Sequence, residues 1–525
     1  MGRPAFQITR AVHRAALIAR DRPAVMDGEV RRTWGEFASR VARLAGGLRR
    51  IGLAPGDRLA ILSWNGAPYL ELYYAVPWAG ALVMPMNIRL AAPEILAQIA
   101  DAEPSILFVD AAFARMLPEL SGRMPSVRTV VSTADVPGTH PYQALIDEGP
   151  AIGDEERSDD DVFGVFYTGG TTAASKGVML THTNIVVNAY HMALDIGFAG
   201  DDVYLHVAPM FHLADSANTF AVTMMTAAHA FVPAFDVAKT LEAFQSHRVT
   251  RTLLVPTMVN AVVNSPELAR YDLSSLRSIL YGGSPMAPAV MAKALDGLKC
   301  RLFQGYGMTE TSPVLTFLTP EDHVAGLRGG DEKAQARLRS AGRPVPNVDV
   351  RILDLHGRPV PPGEIGEICA RGPNVMKGYW RNPEATEEAL RGGYMHTGDL
   401  GFMDEDGYVF LVDRAKDMIV SGGENVYCVE VETALYSHPA VLEAAVFGVP
   451  CDQLGERVHA VVVLRPGEQA SGEELVGHCR RRLGGYKCPK SVELRAEPLP
   501  KSGAGKILKR DLRAPFWKGQ ERQIH

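Results

Sequence analysis

Residues 92–110 read APEILAQIADAEPSILFVD, and this stretch decides the fold class. Pro93 suits the first turn of a helix, and Ile95 and Ile99 fall on one helical face. Pro104 follows the helical pattern, and the apolar run after it is typical of a buried strand. The stretch therefore predicts a helix followed by a strand, which is the repeating unit of a layered α/β protein.

The same unit recurs at 236–256, which reads DVAKTLEAFQSHRVTRTLLVP. Asp236 can cap a helix, Leu241 and Phe244 share a face, and residues 252–255 form an apolar run. Because repeated helix–strand units pack as parallel sheets covered by helices, the first part of the chain is predicted to be a layered α/β domain.

The pattern changes after residue 340. From about 340 to 412, short strand-like runs alternate with turn signals such as PPGE and DEDG, which predicts a β-rich subdomain. Residues 414–525 then contain strands and a helix in a segment long enough for a separate α+β domain. We therefore predict an N-terminal domain over 1–413 and a C-terminal domain over 414–525, with a charged loop near residues 328–339.

Composition narrows the range of partners. The chain has 525 residues, 46% of them hydrophobic, with 54 Lys and Arg against 60 Asp and Glu. A net charge of −6 does not favour a nucleic-acid or anionic-membrane surface, so a small-molecule substrate is expected. Six cysteines without CxxC spacing predict free thiols, and no apolar run reaches the roughly 20 residues of a membrane helix. We expect a cytoplasmic protein without an integral membrane segment.

A second stretch, YTGGTTAASKGVMLTH at 167–182, carries the chemistry. Small residues, hydroxyl groups and one lysine offer many donors with little bulk, as a polyphosphate requires. The stretch is not a Walker A loop, because Ser175 precedes Lys176 and Gly177 follows it. It predicts a phosphate-binding loop, and a surface turn is the alternative from composition alone.

Four further segments follow in order: QGYGMTETSP at 304–313, YMHTGDL at 394–400, DRAKDMIVSGGENVYCVEVE at 413–432 and KSGAGKILKR at 501–510. Together with the phosphate loop they resemble the signature segments of the adenylate-forming superfamily, which includes acyl-CoA synthetases, peptide-synthetase adenylation domains and luciferases. The resemblance implies a carboxylic acid–CoA ligase that uses MgATP to form an acyl-adenylate and then a thioester with coenzyme A. It also implies a small C-terminal domain that is mobile.

The resemblance assigns the nucleotide site. The ATP phosphates are expected at Thr168, Gly169, Gly170, Thr171, Thr172 and Lys176. Gly282 and Gly283 of YGGSPM would border the adenine, Tyr306 would pack on it, Thr309 would bind the α-phosphate and Glu310 would hold Mg²⁺. Gly169, Ala173 and Ser175 depart from the family pattern, which leaves open a nucleotide-binding protein with degraded catalysis.

The later segments supply the remaining assignments by resemblance. Asp399 and Arg414 match the residues that bind the ribose hydroxyls, and Lys416 lies where the family has its hinge. Lys506 matches the catalytic lysine of adenylate formation. Gly422 and Gly423 fall in the segment that faces the pantetheine arm of CoA.

The segment PMFHLADSANTF at 209–220 matches the border of the acyl pocket, with His212 beside the carboxylate. Residues 209–226 contain no Lys or Arg, which disfavours a dicarboxylic acid. The small or apolar residues Ala214, Gly305, Pro313 and Val314 suit a fatty acid or an aryl acid. The segment NIRLAAPEI at 87–95 resembles one of fatty-acid CoA ligases, which implies a medium or long chain if the acid is a fatty acid.

A stand-alone enzyme that loads a carrier protein is the alternative. His206 and His212 lack a third metal ligand, and Asp215 has no assigned role. A homodimer is compatible with the sequence, which does not specify an oligomeric state.

Overall fold

The computed structural model describes residues 5–168, 175–329, 331–414, 417–421, 424–451, 453–501 and 507–518, except for the side chains of Arg414 and Asn425. These residues divide into two compact units. The large unit comprises residues 1–349 and 370–395, and the small unit comprises residues 350–369 and 396–525. The predicted β-rich segment, 340–412, is thus divided about equally between the two units.

The helices of the described residues alternate with strands through most of the chain. They are α1 Arg10–Ile18, α2 Trp34–Arg50, α3 Ala67–Trp78, α4 Ala92–Ala102, α5 Leu117–Leu120, α6 Tyr142–Asp147, α7 His182–Ile196, α8 Leu213–Met224, α9 Val237–Ser246, α10 Pro256–Val263, α11 Pro288–Leu298, α12 Pro320–Leu327, α13 Glu332–Arg337, α14 Pro383–Ala389, α15 Cys428–Tyr436, α16 Gly472–Arg480 and α17 Lys509–Arg513. Among these helices, none has both the length and the apolar character to cross a bilayer.

The strands are mostly short and buried. They are β1 Pro23–Asp27, β2 Val30–Thr33, β3 Arg58–Leu62, β4 Leu82–Pro85, β5 Ile106–Val109, β6 Thr129–Ser132, β7 His140–Pro141, β8 Val162–Thr168, β9 Lys176–Thr181, β10 Val203–His206, β11 Ala228–Phe231, β12 Arg251–Leu253, β13 Ser278–Gly282, β14 Arg301–Gly307, β15 Val314–Leu318, β16 Arg343–Pro344, β17 Asp349–Leu353, β18 Gly366–Arg371, β19 Gly378–Tyr379, β20 Met395–Met403, β21 Val409–Arg414, β22 Ile419–Ser421, β23 Glu424–Val426, β24 Val441–Cys451, β25 Gly455–Leu464 and β26 Ser491–Arg495.

The opening stretch folds as its pattern predicts, into α4 and β5. The second helix–strand unit is also confirmed, because Asp236 caps α9 by accepting from the Lys239 N–H and β12 follows. The loop predicted near 328–339 is wrong in part, since α13 forms there with Asp331 accepting from the Ala334 N–H as its cap.

Two large sheets form the core of the large unit. The first has the order β16-β15-β14-β13-β12-β10-β11-β1-β2, and the strands from β14 to β1 are parallel. The second has the order β19-β9-β8-β4-β3-β5-β6-β7, with β9 and β19 antiparallel at one end. Since ligands of parallel α/β sheets bind beyond the carboxyl ends of strands, the ends of β8, β13 and β14 are the places to look for a site.

The small unit has sheets of its own. One has the order β17-β18-β20-β21, and the other has the order β23-β22-β25-β24 with β26 paired to β25. Valine-rich strands β24 and β25 pair over ten positions, and α15 and α16 cover them with buried residues such as Val431 and Leu475. The α+β character predicted for the C-terminal segment is therefore present.

Candidate active site

The predicted phosphate loop connects two antiparallel strands. Thr168 ends β8 and pairs with Lys176, which begins β9. The Ser175 hydroxyl donates a hydrogen bond of 2.6 Å to the Thr168 carbonyl and so closes the base of the loop. Ser175 therefore has a structural use in this chain although it departs from the family pattern. Gly169, Gly170, Thr171 and Thr172 lie outside the described residues.

Lys176 and Glu310 are linked by a tyrosine that the sequence patterns did not single out. The Tyr379 hydroxyl donates to Glu310 Oε1 at 2.8 Å, and Lys176 Nζ lies 4.8 Å from the centroid of the same ring. We call Lys176, Tyr379 and Glu310 the tyrosine bridge. A cavity of about 360 Å³ opens on Lys176 and is also lined by Ser175, Trp380 and Arg381.

Glu310 fits the role of a magnesium ligand. Glu310 is 6% exposed and lies in a short 3-10 helix, Thr309–Thr311, which follows β14. Mg²⁺ prefers hard oxygen donors and is commonly held by one or two carboxylates together with substrate phosphates. The donor set of this chain, a held carboxylate near a lysine that suits phosphate, matches that chemistry.

The adenine segment lies where two parallel strands end together. Gly282 ends β13 and pairs with Gly305 of β14, and a Cβ atom at 282 would lie 2.5 Å from the Gly305 carbonyl oxygen. Gly283 has a φ of +80°, which favours glycine. Half-buried Tyr306 and Thr309 follow at the end of β14 and at the start of the 3-10 helix. The structure thus brings these four predicted residues to one sheet edge.

In the small unit, Asp399 and Arg414 are direct partners in the antiparallel pair β20–β21. Asp399 is buried, and its N–H donates to the Thr397 hydroxyl at 3.1 Å. The Thr397 hydroxyl in turn donates to the Ile368 carbonyl at 2.7 Å. The register therefore places the two predicted ribose ligands side by side along the backbone.

A group of metal-ligand type surrounds the same turn. Ligand atoms of Glu367, Cys369 and His396 lie within 4.8 Å of one another. His396 Nδ1 is 2.7 Å from Glu367 Oε2, and the Gly398 N–H donates to Glu367 Oε1 at 3.0 Å. Since Glu367 holds both the imidazole and the Gly398 backbone, we interpret this group as the support of the turn that carries Asp399.

On the acid side, His212 is the N-cap residue of α8 and is half-buried. Asp215, one turn further, points into the core and accepts from the Tyr204 hydroxyl at 3.0 Å and from His206 Nδ1 at 2.6 Å. His206 and His212 are therefore not a metal pair, because both ring nitrogens of His206 are engaged within the core.

The chain of contacts continues from His206. Its Nε2 is 3.0 Å from His229 Nδ1, and His229 Nε2 is 3.0 Å from the Thr223 hydroxyl. We call Tyr204, His206, Asp215, Thr223 and His229 the histidine cluster, all of which are at most 1% exposed. Burial, followed by the neighbouring His206, holds the pKa of His229 well below its ordinary value. A neutral His229 has one donor and one acceptor ring nitrogen, so it donates in one of its two contacts, with Thr223 or with His206, and accepts in the other.

Helix α8 also presents buried polar groups without partners among the described residues. Asn218 donates to the Ala214 carbonyl at 3.0 Å, whereas its Oδ1 has no hydrogen-bond partner. The Thr219 hydroxyl is likewise buried without one. Since unpaired buried polar groups are costly, these two atoms are candidates for contact with a bound ligand.

The remaining predicted positions are only partly described. Lys416, Gly422, Gly423 and Lys506 lie outside the described residues, and Arg414 is described by its backbone alone. The sequence patterns did not predict a role for Tyr379, nor did they predict that Asp215 is bonded to His206. The only signal for Tyr379 was an aromatic pair after a glycine in MKGYW at 376–380.

Comparison with known proteins decides the family. A family model described as AMP-binding enzyme matches residues 12–380. The chain belongs to the AMP-binding enzyme family. A model of the AMP-binding enzyme C-terminal domain matches residues 430–506.

Relatives of this AMP-binding enzyme are CoA and carrier-protein ligases. A feruloyl-CoA synthase from Amycolatopsis sp is 42% identical over 94% of this chain and 96% of its own. A fatty acid–[acyl-carrier-protein] ligase, ScoC, from Streptomyces coeruleorubidus is 34% identical over 96% of this chain and 95% of its own. The solved o-succinylbenzoate CoA synthetase from Bacillus subtilis, in complex with its acyl-adenylate intermediate, has a TM-score of 0.83 and is 30% identical, covering 98% of this chain and 99% of its own.

Proposed function

We propose that this AMP-binding enzyme joins an aryl acid of the phenylpropenoate type, such as ferulate, to coenzyme A. The observation that carries the proposal is the 42% identity with a feruloyl-CoA synthase along almost the whole length of both chains. Such extended similarity includes α8, the segment to which the acid pocket is assigned.

The reaction takes place in two displacements. A carboxylate oxygen of the acid attacks the α-phosphorus of ATP, the bond from that phosphorus to the bridging oxygen breaks, and pyrophosphate leaves. The CoA thiolate then attacks the acyl carbon, and the acyl–oxygen bond to AMP breaks. The protein contributes orientation and charge stabilisation to both displacements.

The residues have distinct roles in this proposal. Thr168, Lys176 and the loop between them hold the β- and γ-phosphates, Tyr306 packs on adenine and Thr309 binds the α-phosphate. Asp399 and Arg414 bind the ribose, His212 borders the acid carboxylate, and Gly422 and Gly423 face the pantetheine arm. Lys506 stabilises charge in adenylate formation. Glu310 holds Mg²⁺, which when bound neutralises phosphate charge.

Helix α8 supports an aryl acid that carries a hydroxyl group. Its stretch from 209 to 226 contains no Lys or Arg that could pair with a second carboxylate. Asn218 Oδ1 and the Thr219 hydroxyl are buried and lack partners in the described structure. A phenolic hydroxyl can donate to the Asn218 oxygen, whereas an alkyl chain would leave it unpaired.

A second candidate is a fatty acid ligase that transfers the acyl group to a carrier protein. It is favoured by the 34% identity with the fatty acid–[acyl-carrier-protein] ligase over nearly the full length. The two candidates differ in both acid and acceptor. The domain boundary at 413, the pivot near Lys416, a homodimer and a cytoplasmic location stay predictions.

The test is an acid panel with ATP and Mg²⁺, comprising ferulate, 4-coumarate, cinnamate, benzoate, octanoate, palmitate and malonate. Pyrophosphate release and CoA thioester are measured separately. We expect ferulate or 4-coumarate to give the highest kcat/KM for both products. Preference for palmitate, or pyrophosphate without thioester unless a carrier protein is added, would favour the second candidate.

The Lys506→Ala variant separates the two displacements in the same assay. Pyrophosphate release should fall about a thousandfold, because an oriented charge near the reacting phosphate is lost. Thioester formation from supplied feruloyl-adenylate should stay within about threefold of wild type. Equal loss of both steps in a folded variant would contradict the role given to Lys506.

A further inference from the structure

The short strand β19 is attached to both charged ends of the tyrosine bridge. Tyr379 pairs with Val178 of β9, and the Trp380 N–H donates to the Gly177 carbonyl at 2.7 Å. On the other side, the Met376 N–H donates to the Glu310 carbonyl at 2.8 Å. The backbone around Tyr379 therefore fixes the distance between the strand that begins with Lys176 and the 3-10 helix that carries Glu310.

The Tyr379 side chain repeats this attachment with its own polar group and ring. Its hydroxyl donates to Glu310 Oε1 at 2.8 Å, and its ring lies under Lys176 Nζ at 4.8 Å. Hydrogen bonds to charged acceptors are stronger than neutral ones, and a cation over an aromatic face is attracted by the ring quadrupole. Tyr379 is thus in contact with both charges without neutralising either.

The hydroxyl remains a donor under assay conditions. The ordinary pKa of a tyrosine hydroxyl is about 10. The phenol is therefore protonated at neutral pH, and its single proton is directed at Glu310 Oε1.

We propose that Tyr379 is a positioning residue for MgATP, one that holds the Glu310 carboxylate and the Lys176 ammonium in a fixed relation before the nucleotide binds. This inference rests on the proposed function of the site and adds a residue to it. Side chains that contact a ligand bind it more tightly when a neighbouring residue already holds them in place. A carboxylate or ammonium that is not held would lose rotamer freedom when MgATP binds, which weakens the affinity. The hydroxyl acts on the metal ligand and the ring acts on the phosphate ligand, so the two effects can be separated.

The chain supplies a matched control in Tyr394, which also belongs to the large unit. Its hydroxyl donates to Asp349 Oδ2 at 2.7 Å, and Arg371 Cζ lies 4.8 Å from its ring centroid. This group also joins a tyrosine, a carboxylate and a cation, although here the cation of Arg371 pairs directly with Asp349 Oδ2 at 3.1 Å. Tyr394 has no part in the proposed nucleotide contacts, so Tyr394→Phe reports the structural cost of losing such a hydroxyl.

The experiment measures ATP binding by titration calorimetry without any acid, so that no turnover occurs. Wild type, Tyr379→Phe, Tyr379→Leu and Tyr394→Phe are each titrated with ATP in the presence of Mg²⁺ and in the presence of a chelator. The ratio of the two dissociation constants measures how much Mg²⁺ contributes to ATP binding. The dissociation constant in chelator measures binding that depends on Lys176 without the metal. Thermal denaturation of each variant checks folding.

We expect Tyr379→Phe to reduce the magnesium contribution about tenfold and to leave ATP binding in chelator within about twofold, because the ring remains. Tyr379→Leu should show the same loss and weaken ATP binding in chelator by a further two- to fivefold. Tyr394→Phe should change neither value. In turnover, Tyr379→Phe should raise the Mg²⁺ half-saturation about tenfold while the KM for the acid is unchanged.

Three outcomes overturn the inference. The first is wild-type MgATP affinity in Tyr379→Phe, and the second is an equal loss in Tyr379→Phe and Tyr394→Phe, which would mean a structural role alone. If wild type bound ATP equally well with and without Mg²⁺, both the magnesium assignment to Glu310 and the inference would be wrong. If wild type showed the magnesium contribution but no acid in the panel gave pyrophosphate, the proposed acid would fail and the role of Tyr379 would stand.

Discussion

The tyrosine bridge and the histidine cluster each hold a carboxylate with a tyrosine hydroxyl, yet they use it differently. In the histidine cluster, Asp215 is fully buried and also bonded to the imidazole of His206. In the tyrosine bridge, the cation of Lys176 lies over a ring and the hydroxyl of that ring is bonded to Glu310. The difference separates two purposes. A carboxylate enclosed in the core with an imidazole stabilises the scaffold, whereas a carboxylate bonded to the same tyrosine as the proposed phosphate-binding lysine is placed for a ligand.

The largest effect that tests this difference is expected from removing the charge of Glu310. Glu310→Gln keeps an oxygen that can accept from Tyr379 but removes a charged oxygen ligand. We expect pyrophosphate release to fall about a thousandfold, as for loss of a preorganised electrostatic group, and the free energy of unfolding to change by less than about 1 kcal/mol. Steady-state kinetics and urea denaturation measure the two quantities. A large loss of stability with modest loss of activity would make Glu310 a scaffold residue like Asp215.

The reverse result is expected for Asp215. Asp215→Ala leaves the Tyr204 hydroxyl and His206 Nδ1 buried without an acceptor, so the free energy of unfolding should fall by about 3 kcal/mol. In Asp215→Asn the free energy of unfolding should fall by less, because the amide oxygen can still accept a hydrogen bond from His206. At a temperature where both variants remain folded, kcat for pyrophosphate release should stay within about threefold of wild type. Wild-type stability in Asp215→Ala would show that the histidine cluster does not stabilise the scaffold.

The smallest expected effect is on how the free energy of unfolding depends on pH. It is specific to the histidine cluster, because the tyrosine bridge contains no histidine. Because the folded-state pKa of His229 is lowered by burial and by His206, the folded protein does not bind the proton that the unfolded chain binds below about pH 6.5. Stability is therefore fully present above that pH and falls as the pH decreases, by up to about 1.4 kcal/mol per unit for this group. Denaturation of wild type and His229→Gln at pH 7, 6 and 5 measures the slopes.

The expected result is a slope between pH 6 and 5 that is about 1 kcal/mol per unit smaller in His229→Gln than in wild type. His182 and His191, whose pKa values burial lowers to about 4, contribute the same sign in both proteins and cancel in the difference. Identical slopes would mean that His229 does not titrate differently in the two states, and the neutral His229 inferred for the histidine cluster would be wrong.

Local sequence patterns predicted much of the fold. The helix α4 and strand β5 could be read from spacing and proline positions, and the cap of α9 from a single aspartate. Helix α13 was missed because it has six residues, too few to show a periodicity within a charged stretch. A helix could be predicted only where it was long enough to show its hydrophobic periodicity, whether or not its residues are buried.

The nucleotide side of the site was largely predictable because its residues lie in compact segments, such as Gly282 beside Gly283 and Thr309 beside Glu310. The role of Tyr379 was not predictable, because β19 has only two residues and the partner of the Tyr379 hydroxyl, Glu310, is 69 positions away. Asp215 was not either, because its partner His206 lies on another element and no spacing rule relates a strand to the next helix. Contacts of this kind are set by how sheets and helices pack.

The tyrosine bridge also constrains when a preoriented MgATP site can first exist during synthesis. Its three residues enter the chain at positions 176, 310 and 379, and β19 completes the edge of a sheet whose other strands all precede residue 182. A nascent chain that ends before residue 379 therefore has both charged residues but nothing that connects them. The ribosome must add roughly the first three quarters of the protein before a nucleotide encounters the assembled bridge.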